Sequence, residues 1–312
     1  MTEVSVRPPL TRPAQPTCSV SVILATNRRI PFMRDALDSV VGQSFDDWEL
    51  VLVDDGSPDP DSLEEFIAGI PHSRVIHQPP RGLSQARNAG CAVAEGAYVT
   101  FLDDDDYWPS DRLHLQMDAV SSAPSDVIGC FGNLDYVDGR GRILGKGPVP
   151  ETKDAEVTAG FHIGTVMVRT EALFRAGLFN PFLEAADDID FLIRLAKVGN
   201  LVHVPSTLLY YRRHDSNTTN ARISTNAYGR AVYEHYYRLT GMTGDRNTHE
   251  ALARTITALE RYMALSAARA ARALLGDRRY RAAAMHSLAT WDSTLTACRY
   301  RFFRPSHKSG QW

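Results

Sequence analysis

The sequence predicts an α/β fold: a mostly parallel central sheet followed by an α-helical extension at the C-terminal end. Three observations carry this. Short β-branched runs alternate with helix-length amphipathic segments over the first hundred residues, which is the rhythm of βαβ units. Those runs are apolar on both faces, as strands covered by helices on each side must be. From about residue 226 onward the pattern changes to helix formers rich in Ala and Arg.

The elements follow in order. Residues 19–25 are a β-branched run that reads as a buried strand. Residues 31–41 place Phe32, Ala36, Leu37, Val40 and Val41 at helical spacing, and Pro31 suits a helix start. Residues 48–53 form a second strand running into Asp54-Asp55-Gly56-Ser57. A helix over 61–70, a short strand over 74–77 and a helix over 84–94 come next. The fourth strand, 97–102, ends in four consecutive aspartates, Asp103 to Asp106, and then Tyr107-Trp108-Pro109. Beyond it lie a helix over 111–121 and two strands, 127–137 and 142–144. The turn Asp138-Gly139-Arg140-Gly141 joins these two strands. A strand over 162–168, a helix over 187–196 and short strands over 201–204 and 208–212 complete the mixed half. Helices over 248–275 and 277–290 are separated by Gly276.

Composition narrows the classes. The chain has 312 residues, 44% apolar and 23% charged, as ordinary globular proteins do. No run approaches the roughly 18 apolar residues of a membrane span. Residues 1–17 are Pro-rich without an apolar core. They read as a disordered leader rather than a signal peptide or anchor. Four scattered cysteines, with no CxxC pair, suit a reducing cytoplasm. Residues 1–220 hold 19 Lys+Arg against 31 Asp+Glu, and residues 221–312 hold 15 against 6. Such a split suggests two parts with different partners. No GxGxxG follows the first strand, which argues against a dinucleotide-binding oxidoreductase.

Each motif has two readings. Closely packed carboxylates resist ionisation, and a hard divalent cation relieves that penalty. A solvated acidic turn is the alternative for Asp103–Asp106. The flanking buried strand favours a site at the carboxyl end of a parallel sheet. Asp55 can meet a ribose or a base N–H, or serve a turn. Residues 81–90 start a helix with Gly82 and the guanidinium groups of Arg81 and Arg87, suited to a diphosphate or to ordinary capping. Asp187, Asp188 and Asp190 favour the helix dipole, or one of them is a general base. His214 completes a metal shell, contacts phosphate, or is a surface histidine. Tyr107 and Trp108 stack on a sugar face or belong to the core. His162 lies near an acceptor or is structural.

Taken in order, these segments resemble the inverting glycosyltransferases of family 2. The resemblance runs through Val20-Ser21-Val22-Ile23-Leu24-Ala25-Thr26-Asn27-Arg28, Ser39-Val40-Val41-Gly42-Gln43-Ser44-Phe45 and Trp48 through Ser57. It continues through Gly82-Leu83-Ser84-Gln85-Ala86-Arg87-Asn88, Leu102 through Trp108, Asp187-Asp188-Ile189-Asp190-Phe191 with Arg194, and Tyr211-Arg212-Arg213-His214. It covers roughly residues 19–217. It implies the GT-A (nucleotide-diphospho-sugar transferase) fold, a catalytic domain over 19–225 after a leader over 1–18, and a basic helical extension over 226–312.

The resemblance also implies roles. Ala25, Thr26, Asn27 and Arg28 border the nucleotide pocket, and Asp55 meets the nucleobase. Arg87 and Asn88 line the donor site. Asp103-Asp104-Asp105 is the DxD element, with Asp103 or Asp104 near the ribose and Asp105 binding Mn2+ or Mg2+, a shell that His214 is the candidate to complete. Asp188 is the catalytic base, and Trp108, His162 and Asp187 face the acceptor. The donor is a nucleotide-diphosphate sugar, UDP-sugar ahead of dTDP-sugar. The acceptor is a carbohydrate, lipid-linked or natural-product hydroxyl, and no nucleic acid is expected. The location implied is cytoplasmic, with the inner membrane face as the alternative. The C-terminal helices pack, as in a homodimer, or touch an anionic membrane surface. Two departures stand out: Thr26-Asn27 replaces a Tyr-Asn pair, and Asp187-Asp188 replaces Glu-Asp. A sugar-nucleotidyltransferase is the enzymatic rival, but the first strand lacks a Gly-rich triphosphate loop. A nonenzymatic nucleotide-sugar-binding protein is the other rival.

Overall fold

A computed structural model describes residues 15–27, 31–147, 162–183, 185–214, 217, 222–246, 248–257 and 260. Arg28, Gly276 and the helices expected beyond residue 260 lie outside the described residues. The chain divides into two compact units, one ending at His214 and one beginning at Asp215.

The first unit contains strands β1 (Cys18–Thr26), β2 (Trp48–Asp55), β3 (Ser73–Gln78), β4 (Gly96–Asp103), β5 (Val127–Asp138), β6 (Ile143–Lys146), β7 (Met167–Arg169) and β8 (Asn200–Arg213). Helices α1 (Met33–Val41), α2 (Asp61–Ile67), α3 (Leu83–Val93), α4 (Arg112–Ser121), α5 (Thr170–Arg175) and α6 (Asp187–Ala196) connect them. The sheet order is β3-β2-β1-β4-β7-β5-β6, and β8 pairs with β5. Strands β1 to β4 pair in parallel, as do β5 and β8, whereas β7 and β6 run antiparallel to their partners.

The apolar runs are explained by two cores, one on each sheet face. Val20, Val22 and Leu24 pack with Met33, Leu37 and Val40 of α1. The alternate residues Ile23 and Ala25 pack with Ala86 and Cys91 of α3 and with Phe191 and Leu195 of α6. Side chains alternate between faces along a strand, so a strand covered on both faces is apolar throughout. Helix α3 lies especially close to the sheet. A Cβ built on Gly90 would fall 2.5 Å from Ile23 Cγ2.

Three elements differ from expectation. Residues 162–168 are not one strand but a 3-10 turn, Ile163–Thr165, followed by the three-residue β7. Helix α5 is additional; its six residues are too few for periodicity to register. The two short strands after α6 are one strand, β8, of 14 residues. Gly132 pairs Val204 and Asn133 pairs Thr207, so Pro205 sits in a register break that needs no N–H from it.

The second unit contains helix α7 (Arg222–Thr243) and further helix over 248–257. Among the described residues, no helix is long and apolar enough to cross a membrane.

Candidate active site

Strand β1 has β2 on one side and β4 on the other, and the chain winds outward from it in both directions. Ligands bind at such a switch point, beyond the carboxyl ends of the strands. There Ala25 pairs with Asp103 and Thr26 with Asp54. Thr26 Oγ1 donates to Asp104 Oδ2 at 2.6 Å, and Asn27 is exposed just past the strand.

Asp55 is buried and accepts from Gln78 Nε2 at 2.7 Å, Arg81 N at 2.8 Å and Gly82 N at 2.8 Å. Three of its roughly four acceptor positions are therefore taken. Its effect is to fasten the turn that starts α3, where Gly82 has a φ of 91° open to glycine at no steric cost. Neighbouring Asp54 accepts from His77 Nδ1 at 2.9 Å and Ser57 N at 2.7 Å. Burial pushes its carboxyl up, but these bonds outweigh burial and hold it below the usual range.

Arg87 is the buried centre of the site. It donates to Asp103 Oδ1 at 2.8 Å and to Asp187 Oδ2 at 3.3 Å, joining the end of β4 to the first turn of α6. Ser84 Oγ also donates to Asp187 Oδ2, at 2.9 Å. Burial pushes Asp103 up, yet the charge and hydrogen bond of Arg87 leave it below the usual carboxylate range. Asp188 follows Asp187 at the start of α6, entered through Ala186 in the left-handed conformation at φ 59°. Burial, with the charge of Asp187 second, raises Asp188 to about 6.

Below Asp103 the remaining acids split. Asp105 Oδ2 lies 3.0 Å from His214 Nε2. Burial and the charge of Asp103 raise the Asp105 carboxyl. Asp106 is buried; Oδ1 accepts from Arg212 N at 2.8 Å, and Oδ2 has no partner among the described residues. Arg212 braces the turn, donating to the carbonyls of Asp105 and Gly139 and to Asp35.

Among the described residues two donor sets could hold a cation, and they differ. Asp103, Asp106 and His162 bring one ligand atom each within 4.8 Å of one another. However, Gly164 N donates to His162 Nδ1 at 3.1 Å, so the proton of the neutral ring sits on Nε2. A metal-bound histidine has the opposite polarity, donating from its other nitrogen. Burial lowers His162 to about 4 and keeps it neutral. Asp105 with His214 offers a carboxylate oxygen and an imidazole nitrogen on facing atoms 3.0 Å apart, and a cation there would displace the proton between them.

Two expected site residues turn elsewhere. Asn88 donates to Phe179 O at 2.8 Å and accepts from Phe179 N at 2.9 Å. Both ends of its amide clamp that backbone instead of lining the donor site. Trp108 is 3% exposed, with Arg112 Cζ 3.9 Å above its ring. It is a core aromatic with no free face for a sugar on the acceptor side. Arg112 was not anticipated. Wholly buried, it donates to Gln116, Gly164 O, Leu208 O and Thr100. It thereby holds the 162–165 turn against β4 and β8. Nothing in local spacing distinguishes it from a surface arginine.

A family model described as "Glycosyl transferase family 2" matches residues 21–180. The chain is 30% identical over 213 residues to the uncharacterized glycosyltransferase EpsJ of Bacillus subtilis, covering 64% of this chain and 62% of EpsJ. It is 24% identical over 213 residues to chondroitin synthase of Pasteurella multocida, covering 66% of this chain and 22% of that enzyme. Among solved structures, S. aureus TarS 1-349 in complex with UDP-GlcNAc aligns with a TM-score of 0.52 at 20% identity, covering 69% of this chain and 66% of that one. The complex with UDP aligns at 0.51 and 24%, covering 69% and 65%. At those identities the likeness to TarS speaks for the fold.

Proposed function

This chain belongs to glycosyl transferase family 2 and has the GT-A fold, and from that premise we propose that it moves a sugar from a nucleotide-diphosphate donor to an acceptor hydroxyl with inversion. The observation that supports this most is the Arg87 bridge. One guanidinium meets Asp103, at the head of the acid quartet, and Asp187, next to Asp188. A charge-dense donor end and a raised carboxyl thus lie on two sides of one cation.

Ala25 and Thr26, at the end of β1, border the nucleotide, with Asp55 at the end of neighbouring β2 fastening the turn that starts α3. The TarS complexes with UDP and UDP-GlcNAc support a uridine donor. Asp105 and His214 would hold Mn2+ or Mg2+, with Asp103 and Asp104 beside them; a bound ion would offset the charge of the departing diphosphate. Asp188 takes the proton of the acceptor hydroxyl. The hydroxyl oxygen bonds to the anomeric carbon as the bond to the diphosphate oxygen breaks, releasing the nucleoside diphosphate. The electron-poor sugar of the transition state has oxocarbenium character. A carboxyl titrating at about 6 is mostly ionised at neutral pH yet more basic than an exposed aspartate, as a general base requires. Acceptors of the carbohydrate, lipid-linked or natural-product classes all present such a hydroxyl.

The test is Asp188→Asn. Transfer should fall by about a hundredfold or more, while calorimetric affinity for UDP with Mn2+ stays as in the parent. Transfer near the parent rate would remove Asp188 from the role of base.

A further inference from the structure

Arg213 ends β8, and successive strand residues face opposite ways. Arg212 accordingly stacks on Phe32 and Tyr107, whereas Arg213 lies against Tyr136 and Tyr211, its Cζ 4.5 Å and 4.8 Å from their ring centroids. The other arginines of the site have committed donors. Arg87 meets Asp103 and Asp187, Arg112 meets carbonyls, Arg194 meets Asp190, and Arg212 meets Asp35. Among the described residues, the side chain of Arg213 makes no hydrogen bond and no ion pair.

Its surroundings belong to the site. The Tyr211 ring meets His162 edge-on, with centroids 4.9 Å apart. His162 in turn is within 4.8 Å of carboxylate oxygens of Asp103 and Asp106. His162 feels the charges of both Asp103 and Arg213. An uncommitted cation therefore stands on the β5–β8 side of the acid quartet. Two tyrosine rings hold its plane, so little freedom remains to be lost when its donors are used. A planar fork of N–H groups matches two oxygens of a phosphate.

We propose that Arg213 is a substrate-binding residue that takes a phosphate group, held ready by Tyr136 and Tyr211. The proposal rests on the glycosyl-transfer reading for what carries that phosphate. Two sources share the chemistry: the diphosphate of the donor and a phosphate ester on the acceptor.

Calorimetry with Mn2+ separates them. UDP is titrated into the parent, Arg213→Gln and Arg213→Lys, and methyl phosphate is then titrated into each UDP-saturated protein. Arg213→Gln should weaken one of the two probes by about tenfold, the size expected when a charged hydrogen-bond donor is removed. Arg213→Lys should recover part of the loss. Weaker UDP binding assigns the donor; intact UDP binding with lost methyl phosphate binding assigns the acceptor. Equal affinity of the parent and Arg213→Gln for both probes overturns the proposal, as does loss in Arg213→Gln caused by unfolding without any loss in a folded Arg213→Lys. A parent that binds no UDP refutes the nucleotide-sugar reading instead. In that event Arg213 stands or falls on methyl phosphate alone.

Discussion

Arg87 sets the electrostatics at the residue scale. It compensates two carboxylates and is itself buried, so removing it strands them. Arg87→Met should cost about 3–5 kcal/mol at neutral pH, read from denaturant midpoints, and less in acid, where the carboxylates are protonated. A loss under 1 kcal/mol would mean water already screens the pair. Asp188 should carry the pH dependence. Its folded value of about 6 lies above the ordinary aspartate value, so transfer should decline as pH falls through about 6. The stability sign is the opposite of the usual aspartate case. Between the ordinary carboxylate range and about 6 the folded chain binds more protons than the unfolded one, so stability falls as pH rises across that window. Asp188→Asn should therefore melt higher than the parent at pH 7, with the gap closing near pH 4. An identical gap at both pH values would contradict the raised value. Motifs single out Arg87, Asp188, Asp105 and His214 as candidates. They could not tell that Asn88 clamps a backbone or that Trp108 is in the core. A motif identifies a segment, and the direction of each side chain within it depends on what packs against it.

At the scale of elements, α3 ties the fold to the site. It presents Arg87 and lies on β1 and β2 through Gly90. A methyl there would meet Ile23 Cγ2 at 2.5 Å and Val53 Cγ2 at 3.2 Å. Gly90→Ala should cost about 1–3 kcal/mol by overpacking and lower transfer by displacing Arg87, measured as a shifted melting temperature together with a reduced rate. A variant as stable and active as the parent would show that α3 can lift off the sheet freely. Helices α1 and α6 and the parallel strands were legible because burial on one or both faces writes a period into the residues. Strand β8 looks like two pieces in the sequence because Pro205 ends a ladder locally, and only its partner β5 shows that the register resumes. The 3-10 turn before β7 has no period of its own, and Arg112 holds it from a distant helix.

At the scale of the molecule, the central feature is the switch point between β1 and β4. Ligand binding there stabilises the fold by mass action: UDP with Mn2+ at a hundred times its dissociation constant should add about 2.7 kcal/mol, seen as a raised melting temperature. No shift with any nucleoside diphosphate would count against a nucleotide donor. The acidic first part and the basic remainder were visible as a charge split, and the chain divides near the same place, after His214. The residues alone determined the alternation of strands and helices and the placing of an acid run at a strand end, because both are written in neighbouring positions. Which carboxylates share a cation was decided only by the tertiary structure. Arg87 reaches Asp103 across 16 positions and Asp187 across 100. Proximity at that range comes from how helices seat on a sheet, and no local pattern encodes it.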